Sequence, residues 1–306
     1  MHYLDEGPAD PEAPEEVSGP VSEKDGGSGT SPVVFVHGNP SWSFEFRHLI
    51  KELTGLSSAA APTGKNSGPS PSGSSIHRTS GRRCIAPDHI GFGLSDKPPE
   101  WTYLPEDHAK NIEAFMDSLE LPPVTLVVGD WGGPIGLSYA IAHPERVRAL
   151  LIYNTWLWSV RGDWYYQAFS RFTGGPVGRF LIQRRNFFAR DIMRAVYGNK
   201  KKLTPEIHAH YLGPLTDPLE RKGCWIFPRQ IVGSSEWLSS LWSRAAVLRD
   251  KKICIAWGMK DIAFREKELK TFEGLFPQAR VLRFPDAGHY LPEEKPEELA
   301  AEIERL

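Results

Sequence analysis

Short apolar runs punctuate the chain and alternate with stretches whose apolar positions recur every three or four residues. The runs are "VVFV" (33–36), "CIA" (84–86), "VTLVVG" (124–129), "RALLIY" (148–153), "ICIAWG" (253–258) and "RVLRF" (280–284). Each is short and largely aliphatic, which predicts strands buried on both faces. Between them "SFEFRHLIKEL" (43–53), "PEDHAKNIEAFMDSLE" (105–120) and "GGPIGLSYAIAHP" (132–144) predict helices. A last helix is predicted over 296–305, with Pro296 in its first turn. Strands alternating with helices predict a mostly parallel central sheet flanked by helices. The opening "HYLDEG" is itself strand-like, and a first strand that sheets of this kind often carry is missing.

The rhythm fails between 154 and 243. That stretch holds aromatics, arginines and helix-like patches ("WLWSVRGDWYYQAFSRF", "RRNFFARDIMRAVYG") but no run suited to the sheet. It predicts a helical cap inserted into a core made of 1–153 and 244–306. Residues 8–31 and 54–82, rich in Pro, Gly and Ser, predict flexible surface loops. Together with the missing strand they leave an unpaired sheet edge, where self-association is the hazard.

Composition narrows the classes. A length of 306 residues suits one large α/β domain with an insertion. A formal charge of −2 gives no electrostatic footprint for nucleic acid, and no block of like charges marks a polybasic membrane patch. No apolar run reaches the roughly 18 residues of a membrane span. The acidic start, "MHYLDEGPADPEAPEE", lacks the apolar stretch of a signal peptide. Cys84, Cys224 and Cys254 are odd in number and far apart, which reads as buried reduced thiols in a cytoplasmic enzyme. His208 and His210 lack partners at metal spacing and read as solvent-facing. "GFG" at 91–93 lacks the third glycine of a dinucleotide fingerprint. Neither a metal nor a cofactor is expected. Ten tryptophans ask for an aromatic pocket.

The chemistry begins at "VVGDWGGPIG" (127–136). A strand breaking into Gly-Asp-Trp-Gly-Gly and then a helix resembles the nucleophile elbow of an α/β-hydrolase, with Asp130 at the apex and Val128 where the usual first glycine stands. "FVHGNP" (35–40) resembles the oxyanion loop of that superfamily. "AWGMKDIAF" places Asp261 beyond a strand, and "PDAGHYLPEEKPEEL" places His289 between the last strand and the last helix. Nucleophile, acid and histidine thus follow in the order of an α/β-hydrolase triad. His37, Asp88 and His89 read as loop braces.

The strings "HGNP", "PDHIGFGLSDKP" (87–98), "GDWGG" and "GHYLPEEKP" together resemble those of the haloalkane dehalogenases. The likeness covers about 33–306 apart from the 54–82 loop, and fades in the cap. It implies an α/β-hydrolase fold and a substrate that is a small halogenated organic molecule, hydrolysed with water to an alcohol and a halide ion. An aspartate suits that task. Its carboxylate displaces halide from saturated carbon, and the resulting ester keeps a carbonyl that water can attack, whereas a serine ether would be a dead end. The resemblance makes Asn39 and Trp131 the halide-binding pair through their side-chain N–H groups, and their backbone N–H groups the oxyanion hole. His289 would activate the water, oriented by Asp261.

Several alternatives stay open at this level. Some family members carry the acid after the preceding strand, where this chain has the neutral Asn154. Others bind halide with a cap tryptophan, for which Trp156, Trp158 and Trp164 are available. An epoxide hydrolase would share the aspartate and add two cap tyrosines, drawn from Tyr165, Tyr166, Tyr197 and Tyr211, but usually has a bulky aromatic at position 39. A halo-acid dehalogenase would need an arginine near the nucleophile, and an ester hydrolase a G-x-S-x-G motif; the chain has neither. An inert binding module on the same fold is the remaining class. Phe264 and Tyr290 flank the acid and the histidine and are pocket candidates.

Overall fold

The computed structural model describes residues 1–7, 31–55 and 81–306. Most of the two segments predicted as loops, residues 8–30 and 56–80, lies outside the described residues. Seven strands form one sheet: β1 (Tyr3–Glu6), β2 (Val33–Val36), β3 (Cys84–Pro87), β4 (Val124–Asp130), β5 (Val147–Thr155), β6 (Lys252–Gly258) and β7 (Arg280–Phe284). Their spatial order is β1-β3-β2-β4-β5-β6-β7. Every pair is parallel except β1 with β3, which is antiparallel. The "HYLDEG" segment therefore supplies the outer strand on one side, tied to β3 by the fork of Arg83 on Asp5.

The helices on the sheet are α1 (Arg47–Thr54), α2 (Pro105–Ser118) and α3 (Gly132–Ala142). Between β5 and β6 the chain runs as α4 (Trp164–Gly174), α5 (Pro176–Arg185), α6 (Met193–Val196), α7 (Pro205–Leu212), α8 (Lys222–Gly233) and α9 (Ser235–Arg244). After β6 come α10 (Glu266–Leu275), α11 (Leu291–Glu294) and α12 (Pro296–Arg305). Among the described residues no strand falls between Thr155 and Lys252. The sheet strand β5 itself reaches two residues past 153, into Asn154 and Thr155.

The strands read as continuous apolar runs because both of their faces are covered. Val34, Val36, Leu126 and Ile152 join α2 and α3 side chains such as Ile112 and Ile135 in one core. Their neighbours Val33, Phe35, Val127 and Leu151 join Leu49 and Ile50 of α1 and Leu299 and Ile303 of α12 in the other. The period of two along each strand thus sorts residues between two cores. All three cysteines are buried free thiols, and burial pushes each of them up to about 12.

One close approach fixes where α3 begins. A methyl group on Gly132 would stand 1.9 Å from the carbonyl oxygen of Val36 in β2, which is backbone and cannot step aside. Gly132→Ala is therefore expected to cost about 1–3 kcal/mol through overpacking. A lowered melting temperature in calorimetry checks this; an unchanged one would show that the elbow has slack.

Candidate active site

Asp130 ends β4 with a φ of 46°, in the left-handed region that a non-glycine residue occupies only under constraint. The constraint is visible. The Thr155 hydroxyl donates to the Asp130 carbonyl at 2.6 Å, and Gly132 and Gly133 let α3 press against β2 and Thr155. The carboxylate is thereby turned out of the sheet toward the "HGNP" loop. Its Oδ1 accepts the backbone N–H of Asn39 at 2.7 Å, and the Trp131 N–H also bonds the carboxylate. The two amides expected to form an oxyanion hole lie at the nucleophile candidate itself. Gly38 makes the approach possible, since a methyl there would overlap Oδ1.

His289 lies on the other side of the carboxylate, with Nε2 3.8 Å from Asp130 Oδ2. Its Nδ1 is 2.8 Å from Asp261 Oδ2. Asp261 is buried and accepts two further bonds, from the Ala263 N–H (2.7 Å) and from the Asn154 amide (2.9 Å). Asn154 is a neutral donor to the Asp261 carboxylate. It sits where the β4–β5 register slips, Gly129 facing Tyr153 but Asp130 facing Thr155, and its φ is 28°. That bulge re-aims the side chain toward β6, where its Oδ1 also accepts the Gly258 N–H at 2.8 Å.

The loop carrying His289 is tied to the helical segment between β5 and β6. The His289 N–H donates to the Val196 carbonyl at 3.0 Å. One carboxylate, that of Glu294, accepts the N–H groups of Gly288, Gly198 and Asn199.

Burial pushes the Asp130 carboxyl up, opposed by the His289 charge and the two backbone N–H groups. Desolvation thus contests the preference for the ionised form that the start of α3 favours. Burial pushes His289 down, but the charge and hydrogen bond of Asp261, with Asp130 and Glu45 behind them, more than reverse this and hold it at about 9. Its place beside two carboxylates thus favours the protonated ring. Glu45 was not singled out from sequence. It is buried under the site, accepts the Tyr153 hydroxyl at 2.9 Å, and is pushed up to about 7 by its burial. A carboxylate among the aromatics of "SFEFRHL" was the available signal.

A mostly apolar cavity opens beside these groups, about 820 Å³ of empty space including its mouth. Asn39, Asp130, Trp131 and His289 border it, as do Phe264 and Tyr290. Trp131 packs edge-on to Trp156 (ring centroids 4.6 Å) and stacks on Phe227 (5.2 Å). Trp156 stacks on Phe264, which stacks on His289. The Asn39 side chain is buried, its amide 3.5 Å from the Cys224 carbonyl, a long contact that leaves the group available. Of the three other tryptophans considered, Trp156 borders the cavity, Trp158 packs on Trp242 and Phe272, and Trp164 is exposed. Tyr165 and Tyr166 border the cavity, but their hydroxyls donate to the carbonyls of Ile262 and Ala263, both at 2.8 Å. Tyr197 and Tyr211 do not border it, and the Tyr211 hydroxyl donates to Glu293.

His37, Asp88 and His89 brace loops. The His89 N–H donates to the His37 ring (2.9 Å), and Asp88 accepts the Ser43 and Leu94 N–H groups. His208 corrects an expectation: it is buried, not solvent-facing, with its ring bonded to the Ala189 carbonyl. It lies three residues before Tyr211 on the inward face of α7, and the inward face is set by tertiary packing that spacing alone did not reveal. Among the described residues no cluster of three His, Cys, Asp or Glu could hold a metal.

A parallel sheet whose strand ends carry an elbow, an amide pair and a histidine loop defines an α/β-hydrolase, and the family model described as alpha/beta hydrolase fold matches residues 31–296. Haloalkane dehalogenase 2 of Mycobacterium tuberculosis is 32% identical over 305 residues, an alignment covering 99% of this chain and 90% of that protein. A cis-3-alkyl-4-alkyloxetan-2-one decarboxylase of Xanthomonas campestris is 31% identical over 328 residues, covering 99% and 90%. Among solved structures, the ancestral haloalkane dehalogenase AncHLD2 superposes with a TM-score of 0.72 at 26% identity, covering 90% of this chain and 93% of that one. The chain belongs to the haloalkane dehalogenase family.

The charge arrangement has a measurable signature. Asp130→Asn removes one of the negative charges that raise His289, so its titration is expected to fall below about 9, followed by NMR of the imidazole resonances. Asn154→Ala leaves Asp261 short of a bond to a charged group, worth about 1.5–3 kcal/mol. It is expected to slow turnover roughly tenfold to a hundredfold, and a rate within twofold of the parent would deny Asn154 a role in orienting Asp261.

Proposed function

We propose that this protein hydrolyses carbon–halogen bonds through a covalent alkyl-aspartate ester. Asp130 Oδ2 attacks the halogen-bearing carbon in line, forming the C–O bond as the C–X bond breaks and the halide leaves with its electron pair. The indole N–H of Trp131 and the amide of Asn39 receive the halide. Alkylation cancels the charge on Asp130, one of those that raise His289, which lowers the proton affinity of the ring and lets it release its proton to solvent water. Neutral His289 then takes a proton from water, and the hydroxide attacks Cγ of the ester. The Asn39 and Trp131 backbone N–H groups hold the oxyanion until the Cγ–O bond to the alkyl oxygen breaks; His289 returns its proton to that oxygen as the alcohol departs, and the carboxyl left behind passes its own proton to His289, restoring the Asp130 carboxylate.

The observation that carries this reading is the pair of side-chain donors, Asn39 and Trp131, beside a buried aspartate on an apolar cavity. The engaged hydroxyls of Tyr165 and Tyr166 weigh against epoxide opening, which needs donors for an alkoxide. The helical stretch 154–243 acts as a cap that supplies the cavity's apolar wall, over a core of 1–153 and 244–306. No helix among the described residues is long and apolar enough to cross a membrane. The three buried thiols suit a reducing compartment such as the cytoplasm.

The decarboxylase relatives favour a second reading on the same residues. Asp130 would attack the C4 carbon of a four-membered lactone, breaking its C4–O bond. Carbon dioxide would then leave from C3, its bond electrons forming the alkene as the C4–Asp130 bond breaks. That course consumes no water and needs no base, so the two readings separate at His289.

His289→Gln is expected to release one halide per enzyme and stop, with the alkyl group retained as added mass on Asp130 in intact-protein mass spectrometry. Asp130→Asn should release none. Many turnovers by His289→Gln on bromoalkanes would sink the ester mechanism. Alkene and carbon dioxide from a dialkyl oxetanone, without halide release from any bromoalkane, would transfer the assignment to the second reading.

A further inference from the structure

The whole chain carries a net charge of −2, yet residues 164–190 contain five arginines (Arg171, Arg179, Arg184, Arg185 and Arg190) and no aspartate or glutamate. In sequence they are too dispersed to stand out as a basic block. The fold collects them on α4, α5 and the turn that follows, and all five are exposed. None has a carboxylate partner among the described residues.

The same helix pair carries an unusual apolar exterior. Trp164 is 77% exposed, Phe172 51%, Val177 61% and Phe180 57%. These are four of the ten large apolar side chains exposed among the described residues, gathered within seventeen positions. On α4, Trp164, Ala168, Arg171 and Phe172 follow the helical repeat along one outer stripe; on α5, Val177, Phe180 and Arg184 do the same. The opposite face of α4 turns Tyr166 and Phe169 to the cavity. Arg179, Phe180 and Arg184 also border a surface groove with Arg229 and Trp225. There the guanidinium carbons of Arg179 and Arg229 lie 4.7 Å and 5.7 Å from the Trp225 ring. Guanidinium groups held in this way are matched to phosphate oxygens.

We propose that the outer face of α4 and α5 docks on an anionic lipid bilayer, the arginines on headgroup phosphates and Trp164, Phe172, Val177 and Phe180 in the acyl boundary. Nucleic acid would account for the arginines but not for the aliphatic and aromatic side chains among them, which an interface between headgroups and acyl chains takes up. The charge complementarity is local, since the rest of the chain is net acidic. Docking would bring the wall of the apolar cavity to the surface in which a lipophilic substrate is dissolved. The assignment does not depend on which reaction Asp130 performs.

The test is sedimentation of the full chain with sucrose-loaded vesicles, of phosphatidylcholine alone or with one lipid in three replaced by phosphatidylglycerol. The protein is expected to pellet with the anionic vesicles only and to be released by salt. Arg179→Gln, Arg184→Gln and Arg185→Gln combined should weaken binding by about fivefold for each charge removed. Trp164→Ser with Phe180→Ser should weaken it separately. Both variants should keep the parent melting temperature and turnover of a water-soluble substrate. A protein that stays in the supernatant with anionic vesicles overturns the proposal and leaves the face to an acidic protein partner. Equal pelleting with neutral vesicles, or variants that pellet as the parent does, overturns it as well.

Discussion

A histidine set between two carboxylates governs the rest of the site. Burial alone would strip His289 of its proton and give one to Asp130. The attraction of the imidazole for the two carboxylates reverses the first tendency and opposes the second, against the repulsion between Asp130 and Asp261, and it does so only while the geometry is kept. The surrounding structure is largely devoted to keeping it. The elbow holds Asp130 in a strained backbone conformation, two amides grip its Oδ1, and Asn154 and Ala263 fix the outer carboxylate. Such a cluster also carries its own timing. Under the proposed chemistry, esterification of Asp130 removes the charge that made His289 a poor base, so the first step prepares the second.

Position in the sheet explains how distant segments meet. Asn39 follows β2, Asp130 ends β4, Asn154 sits at the end of β5, Asp261 follows β6 and His289 follows β7. All five lie at the carboxyl ends of parallel strands, the edge at which open α/β sheets place their ligands. The helical segment between β5 and β6 adds the aromatic wall, and its Tyr165 and Tyr166 hydroxyls are engaged by backbone carbonyls. Catalytic potential and pocket shape thus come from different stretches of chain, which is why relatives named for dehalogenation and for decarboxylation share one framework.

Much of this was legible before any coordinates. The apolar runs marked β2 to β6 because burial on both faces leaves no alternation to misread, the more exposed β7 was marked only by the apolar residues between its arginines, and "GDWGG" and "GHYLPEEKP" marked the elbow and the histidine loop. What was hidden depends on distance in sequence. Asn154 read as a failed acid; that it bonds Asp261 is visible only once a register slip turns its side chain across to β6. Glu45 lay inside an amphipathic helix pattern, and nothing local says that its face points inward beneath His289. His208 failed for the same reason in reverse. The tryptophans could not be sorted, since exposure of Trp164 and burial of Trp156 follow from how α4 and β5 pack, not from their neighbours in the chain.

The Glu294 carboxylate, gripping Gly288 on one side and Gly198 and Asn199 on the other, makes a mechanical union of the histidine loop and the α6 end of the insertion. Gly198 and Gly288 are in such close register that a methyl on either would strike the other's backbone. That seam cannot part without dragging His289 out of line with Asp130. At its other end the insertion is held by α4, whose Tyr165 and Tyr166 hydroxyls grip the carbonyls of Ile262 and Ala263 beside Asp261. The insertion is thus pinned at both ends to the loops that carry Asp261 and His289, so a distortion of either end reaches the charged cluster directly.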